Sequence, residues 1–228
     1  MKLNIFNNLT EQDKSNSVKE LINHSSPNDD FFFLVILAVA MATFGILTSN
    51  TAVVIGSMLV APILFPVLSL SMGVVMSDSK LVSRSVYTMV KSVVLGIITG
   101  AIITLFFGHA KLTGVDLGYF QPSIIYFAIS MVAGLAASFS LVKPQLSETL
   151  PGVAISVALI PPLAAVGVGL AKFNWSIISQ ALMLFLVNVL GIVFASMIVF
   201  SMMNFYVKRT VARRALKAEE KELNSSKR

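Results

Sequence analysis

From Phe31 to Phe205 apolar stretches of about twenty residues alternate with short polar clusters. A helix that crosses the hydrocarbon of a bilayer needs roughly 20 apolar residues. The pattern therefore predicts six spans, at Phe31–Thr48, Thr51–Val75, Ser85–Phe107, Ser123–Val142, Pro151–Leu170 and Ser176–Phe205. The fold class is all-α: a polytopic membrane bundle over residues 31–206, between a polar segment 1–30 and a basic tail 207–228. Ser26-Pro27-Asn28-Asp29 reads as the start of the first span, with a capping serine, proline at the first helical position and acids in the first turn. Before it, Thr10–Ile22 reads as a short surface helix whose apolar face is Val18, Leu21 and Ile22.

Composition agrees with this pattern. Of the 228 residues 56% are hydrophobic and 12% charged, against about a quarter charged in a soluble domain. The first thirty residues carry no signal-peptide core, so the first span is expected to act as the targeting signal. The net charge of +6 does not point to nucleic acid, because eight of the 17 Lys and Arg follow Tyr206, beside a membrane helix. Lipid headgroups are the expected partners of Lys208, Arg209, Arg213 and Arg214, on a last helix expected to project inward past the bilayer. With six spans, every Lys and Arg except Lys111 and Lys172 falls on the side of the two termini. The excess of positive charge in cytoplasmic loops then places both termini in the cytoplasm.

The two halves resemble each other. Val53-Val54-Ile55-Gly56-Ser57-Met58-Leu59-Val60-Ala61-Pro62 aligns with Val153-Ala154-Ile155-Ser156-Val157-Ala158-Leu159-Ile160-Pro161-Pro162, with Val, Ile, Leu and the final Pro identical. In the next span Val94-Leu95-Gly96-Ile97 matches Val189-Leu190-Gly191-Ile192, and Gly100 and Ala195 fall at equivalent places. Units of three spans, about 31–107 and 123–205, enter the membrane in opposite senses. This predicts a 3+3 inverted-topology repeat of the kind found in secondary transporters.

Prolines concentrate in the second and fifth spans: Pro62 and Pro66, Pro161 and Pro162. Proline offers no N–H to the carbonyl four residues back, so Met58, Pro62, Val157 and Ala158 are expected to lose helical partners. Such carbonyls near the midplane either face a solute or are satisfied by packing around a kink, and the sequence leaves both open. Ser57 and Ser156 lie about a turn before the prolines, and Asn188 lies beside the repeated tetrapeptide. Each is a candidate lining residue, although the serines commonly bond back to their own helix and Asn188 serves equally as an interhelical clamp. Ser49-Asn50-Thr51 is the expected tight outer turn. Gly96 with Gly100, and Gly191 with Ala195, form small-residue pairs for close packing within the chain or between copies of it. Lys91 is the charge deepest in a predicted span and is expected to snorkel to the surface.

Several chemistries are disfavoured. No predicted span holds Asp or Glu, which argues against proton coupling through a buried carboxylate. There is no cysteine, and His24 and His109 fall on opposite sides, so neither a metal site nor a catalytic pair assembles. No nucleotide-binding glycine motif is present. Neither an enzyme nor a cofactor is expected.

Gly45 to Pro62 with Pro66, and Gly152-Val153-Ala154-Ile155-Ser156-Val157-Ala158-Leu159-Ile160-Pro161-Pro162-Leu163-Ala164-Ala165-Val166-Gly167, resemble the signature of a prokaryotic membrane family, "domain of unknown function 389". The resemblance runs from about Asp29 to Phe205 and implies a location in the bacterial or archaeal inner membrane. It carries no site residues. From the repeat and the prolines, the expected function is a small transporter or channel for an ion or solute. The alternative is a structural or scaffold membrane protein whose glycines and prolines serve packing.

Overall fold

The structure, a computed structural model, describes residues 10–108, 123–143 and 159–226. These residues form nine α-helices and no strand: α1 (Glu11–His24), α2 (Asp29–Leu47), α3 (Thr51–Val60), α4 (Leu64–Val75), α5 (Ser79–Phe107), α6 (Ile124–Val142), α7 (Ile160–Ala171), α8 (Trp175–Met202) and α9 (Arg209–Ser226). Four of them, α2, α5, α6 and α8, are long and apolar enough to cross a membrane. The bent pair α3–α4 makes a fifth if it is one span, while α7 by itself has only 12 residues.

Local chemistry sets most boundaries. Thr10 and Asp13 form a reciprocal capping box at the start of α1. Asn28, rather than the expected Ser26, caps α2, its side chain accepting from the Phe31 N–H at 2.8 Å. Pro27 therefore lies ahead of the helix. The third span starts earlier than the predicted Ser85, because the Asp78 carboxylate caps the N–H groups of Lys80 and Leu81. The expected inward extension of the last span does not occur. Asn204 adopts the left-handed conformation (φ 59°), which ends α8, and a 3₁₀ turn at Phe205–Lys208 leads into α9 as a separate helix.

Three hairpins share one construction. After α2, α4 and α7 the chain turns through a residue with positive φ, Ser49, Ser77 or Phe173. The next residue, Asn50, Asp78 or Asn174, caps the following helix with its side chain. Its own N–H donates back to the carbonyl of Gly45, Gly73 or Gly169 at 2.8–2.9 Å. Each of those glycines lies against the first turn of the next helix, where a Cβ would stand 2.6 Å from Val54 Cγ2, 3.0 Å from Val82 Cγ2 or 2.9 Å from Ile178 Cγ1. The pattern Gly-x₄-(Asn/Asp)-x₃-(Val/Ile) is legible three times in the sequence.

Small residues then fix the helix register. Gly96 lies on Val39 and Leu163, and Gly100 on Thr43, Ala164 and Gly167. These contacts align α2, α5 and α7 in parallel. Gly191 lies on Phe127 and Ser130, and Gly134 on Ile192 and Ala195, so α6 and α8 are also parallel. The hairpins reverse the chain between α2 and α3, α4 and α5, and α7 and α8. Hence α2, α5 and α7 run one way, and α3–α4, α6 and α8 the other. Helix α7 sits at the centre, buried from Ile160 through Gly169 and packed on α2, α5 and α8. Apolar stripes remain exposed on the periphery, such as Val90, Val94, Ile98 and Ile102 on α5 and Leu186, Leu190, Phe194 and Ile198 on α8. Rows of this kind suit acyl chains better than water.

The polar ends pack into one layer. Val18, Leu21 and Ile22 of α1 are buried, as their spacing predicts, and α1 packs on α4, α6 and α9. The α4–α5 turn joins the same layer through Asp78, which accepts from Arg213 Nε at 2.9 Å.

Candidate functional site

The break between α3 and α4 is the most irregular feature of the described spans. Helix α3 ends at Val60, Ala61 is extended (φ −83°, ψ 125°), and α4 resumes at Leu64 with its axis turned by 49°. Pro62 lies in the gap and gives no N–H to the Met58 carbonyl. The expectation that Pro66 would orphan the Pro62 carbonyl is not met. That oxygen accepts from the Phe65 N–H at 3.2 Å, and Pro66 stands in the first turn of α4, where a missing N–H costs least. Continuing the antiparallel pairing of Gly45 with Val54 brings Pro62 level with Leu37, the middle of α2.

Pro161 and Pro162 occupy the first turn of α7, whose described part begins at Ile160; the rest of the expected fifth span, from Pro151, lies outside the described residues. Both are buried, and the neighbouring Leu163 meets Gly96, which meets Val39 of α2. The two proline segments thus share a depth, and α3 touches α7. Ser156, Val157 and Ala158 lie outside the described residues, as do Pro151, His109, Lys111, Asp116 and Glu148.

The polar candidates differ in availability. Ser57 is fully buried and donates to the Val54 carbonyl of its own helix at 2.6 Å. Met58 is buried beside it, and Asn188 is buried in α8, a helix that packs on α4. Ser69 of α4 is fully buried and its hydroxyl has no hydrogen-bond partner. In the sequence it gives no signal, being one serine among several in an apolar run. A continuous row on α5 is equally inconspicuous in the sequence: Ser85, Thr88, Ser92, Gly96, Gly100 and Thr104 are all buried and spaced three or four apart. Each hydroxyl in this row donates to the carbonyl one turn back, at 2.7–3.1 Å. The row therefore gives a smooth surface with its hydroxyl protons already engaged.

The small-residue pairs do what close packing requires. Gly96 and Gly100 seat α2 and α7 against α5, while Gly191 and Ala195 seat α6 against α8. Ser196 adds an interhelical bond to the Gly134 carbonyl at 3.3 Å. Lys91 Nζ lies 3.8 Å from the centroid of the Phe32 ring, a cation–π contact near the start of α2. His24, at the end of α1, stacks on Phe65 at 4.8 Å, close beside the break.

Lys208, Arg209 and Arg213 of the tail have protein partners. Lys208 pairs with Glu11 at 2.8 Å, which holds the Glu11 carboxyl below its ordinary value. Asp78 is completely buried and receives Arg213 Nε at 2.9 Å and Arg209 Nε at 3.6 Å. Burial raises its carboxyl, but the bonds from Arg213 and from the N–H groups of Leu81 and Lys80 outweigh that and lower it. Arg84 pairs with Glu219, and Lys80 with Glu220 at 2.7 Å. Arg214 is exposed and has no carboxylate partner among the described residues. Between Pro27, α5 and α9 these pairs border a cleft of about 670 Å³ that also includes Ser83 and Tyr87. Among the described residues no cluster of His, Asp or Glu has metal-binding form.

An "uncharacterized protein MJ0678" of the archaeon Methanocaldococcus jannaschii is 30% identical over 201 residues, covering 85% of this chain. The match takes in 59% of that protein, so the chain spans under two thirds of the relative's length. No solved structure matches. A family profile described as "Domain of unknown function (DUF389)" matches residues 58–194, from the helix break through α8 past Asn188, Gly191 and Ile192. Because that match covers more than half of the chain, the protein belongs to the domain of unknown function 389 family.

Proposed function

We propose that this protein is a multi-pass protein of a prokaryotic cytoplasmic membrane, with both termini inside, that passes an ion or small solute between two inverted three-span units. The observation that carries the proposal is the break at Ala61–Ile63, set level with the middle of α2 and at the depth of Pro161 and Pro162. Non-helical backbone at that depth is tolerated where it is buried in protein or lines a water-filled path.

Internal symmetry supports the two-unit reading. A 12-residue helix, the Gly-x₄-(Asn/Asp) turn and a helix of 28 or 29 residues follow one another in α4–α5 and again in α7–α8. In each unit the third helix seats the first through equivalent small residues, Gly96 and Gly100 on α2, Gly191 and Ala195 on α6. Each short helix also packs on the long helix of the other unit, α7 on α5 and α4 on α8. The alternating helix directions fit six crossings, with α7 lying in the fifth. The shared layer of α1, the α4–α5 turn and α9 supports reading these three segments as lying on one side, and the charge bias favours the cytoplasmic side for them. Cysteine placed at Ser79 should then resist an impermeant thiol reagent in intact cells, while cysteine at the exposed Phe173 reacts. Labelling of the Ser79 position from outside would overturn this orientation.

The scaffold reading has its own support, because most hydroxyls in the spans, including Ser57, bond within their own helices. Flux into proteoliposomes of sodium, potassium, chloride and small neutral solutes separates the two. The wild type should conduct at least one of them. Pro62→Ala supplies an N–H for the Met58 carbonyl, so the variant should stay folded and lose at least tenfold of the flux. An inactive wild type, or a Pro62→Ala variant with unchanged flux, would sink the transport reading.

A further inference from the structure

We propose that the groove between the start of α5 and the first turns of α9 binds a phosphoryl group, carried by a small soluble anion or by a lipid headgroup. The groove has a volume of about 400 Å³ and is lined by Lys80, Thr210, Arg213, Arg214 and Lys217. That is four cations and one hydroxyl, with no carboxylate in the lining.

The geometry follows from the helix period. Thr210, Arg213, Arg214 and Lys217 are spaced i, i+3, i+4 and i+7, so they share one face of α9. The opposite face is anchored, with Ala212, Leu216 and Glu219 buried. The basic face is therefore held in place and cannot turn away from the groove. Arg213 is oriented further by Asp78, which engages its Nε and leaves the terminal guanidinium nitrogens for an anion. Lys80 reaches the groove from α5 while paired with Glu220.

Charge bookkeeping favours an anionic occupant. Asp78 and Glu220 offset two of the four lining cations, and Arg214 and Lys217 have no carboxylate partner among the described residues. Arg213 and Lys217 stand one turn apart with like charges, an arrangement that an anion between them relieves. The surplus of about two positive charges matches a phosphate monoester, which carries about −1.5 to −2 near neutral pH. The volume lies within the roughly 300–1,000 Å³ of small-molecule pockets, so the group bearing the phosphate fits as well. This inference does not depend on the transport reading.

The test uses the full chain purified in detergent at low ionic strength, titrated with inorganic phosphate, pyrophosphate and glycerol 3-phosphate. A second arm uses phosphatidylcholine nanodiscs with and without phosphatidic acid. The readouts are the thermal midpoint and the protection of Lys80 and Lys217 from amine acetylation. A phosphoryl ligand should protect both lysines, and R214Q/K217Q should weaken its binding at least tenfold while K19Q leaves it unchanged. Protection of Lys80 by the same ligand in the K217Q variant should be reduced as well, which keeps the test usable if the double variant is unstable. Action by glycerol 3-phosphate in detergent assigns a soluble ligand, and action by phosphatidic acid alone assigns a headgroup. If no phosphoryl compound protects either lysine, or if K19Q weakens binding as much as R214Q/K217Q, the site does not exist.

Discussion

Replacing Gly167 with valine should prevent the chain from accumulating as a folded, monodisperse protein, and Gly167→Ala should already lower its melting temperature markedly. A Cβ at Gly167 would stand 2.8 Å from Gly100 Cα, Gly100 C and Ala101 N, all backbone atoms of α5. A side chain in the way can change rotamer; a backbone cannot. The two helices must instead separate, and α7 has nowhere to go, because it is buried along nearly its whole length among α2, α5 and α8. Overpacking by a methylene typically costs about 1–3 kcal/mol, and a backbone clash at a central crossing belongs at the upper end. For a chain of this size that corresponds to about 5–10 °C. The matched control is Gly56→Ala, where the nearest atom to a new Cβ is the flexible Met41 Cε at 4.0 Å. Thermal midpoints and gel-filtration profiles of the three variants decide the matter. A Gly167→Ala protein as stable as Gly56→Ala would mean that α5 and α7 do not cross in backbone contact.

That crossing marks how far the sequence could be read. The apolar periods locate the four long helices to within a few residues, except where a cap acts at a distance from the apolar run. Asp78 looks like a loop charge until its carboxylate is seen to hold the N–H groups of Lys80 and Leu81, which adds about two turns to α5. The break near Pro62 is legible because proline removes a donor wherever it sits. Its consequences are not, since Pro66 and Pro161–Pro162 stand in first turns, where a missing N–H is nearly free. The end of α8 has no proline or glycine to announce it, only Asn204 in a conformation that asparagine tolerates better than most residues. The three Gly-x₄-(Asn/Asp) turns were readable, but in an apolar chain each glycine alone looks like a packing residue. Least legible were the tail cations. Composition assigns them to lipid, yet Arg209 and Arg213 meet a carboxylate more than a hundred residues away in sequence, and no local pattern encodes that contact.

Asp78 supplies the second large effect. Its two oxygens have separate tasks: Oδ1 accepts from the backbone of α5, at 3.1 and 3.2 Å, and Oδ2 accepts from the arginines of α9. Substitution can separate them. Asp78→Ala removes both, leaving two orphan N–H groups at the start of α5 and two arginines without their carboxylate. Loss of an N-cap costs about 0.5–2 kcal/mol. The arginine side chains are 46% and 54% exposed, so each ion pair merits only about 0.2–1 kcal/mol after solvent screening. The sum is about 1–4 kcal/mol. Asp78→Asn should cost less, because asparagine caps a helix as well as aspartate does while abolishing the charge. The pH dependence has a definite sign. The folded carboxyl lies below its ordinary value of 3.8, so its contribution is complete above that value and disappears as the pH falls through the folded one. Wild-type stability should therefore drop on acidification below about pH 4 by a margin that the Asn variant, already lacking the charge, does not show. At neutral pH the same variant should release α9, so that trypsin cuts at Arg213 and Arg214 faster than in the wild type while the spans remain intact. Thermal midpoints across pH, together with the rate of tail cleavage, test both statements. If Asp78→Asn matches the wild type in cleavage rate and in its acid profile, the junction of α9 with α5 is held by Arg84–Glu219 and Lys80–Glu220 instead of by the buried carboxylate.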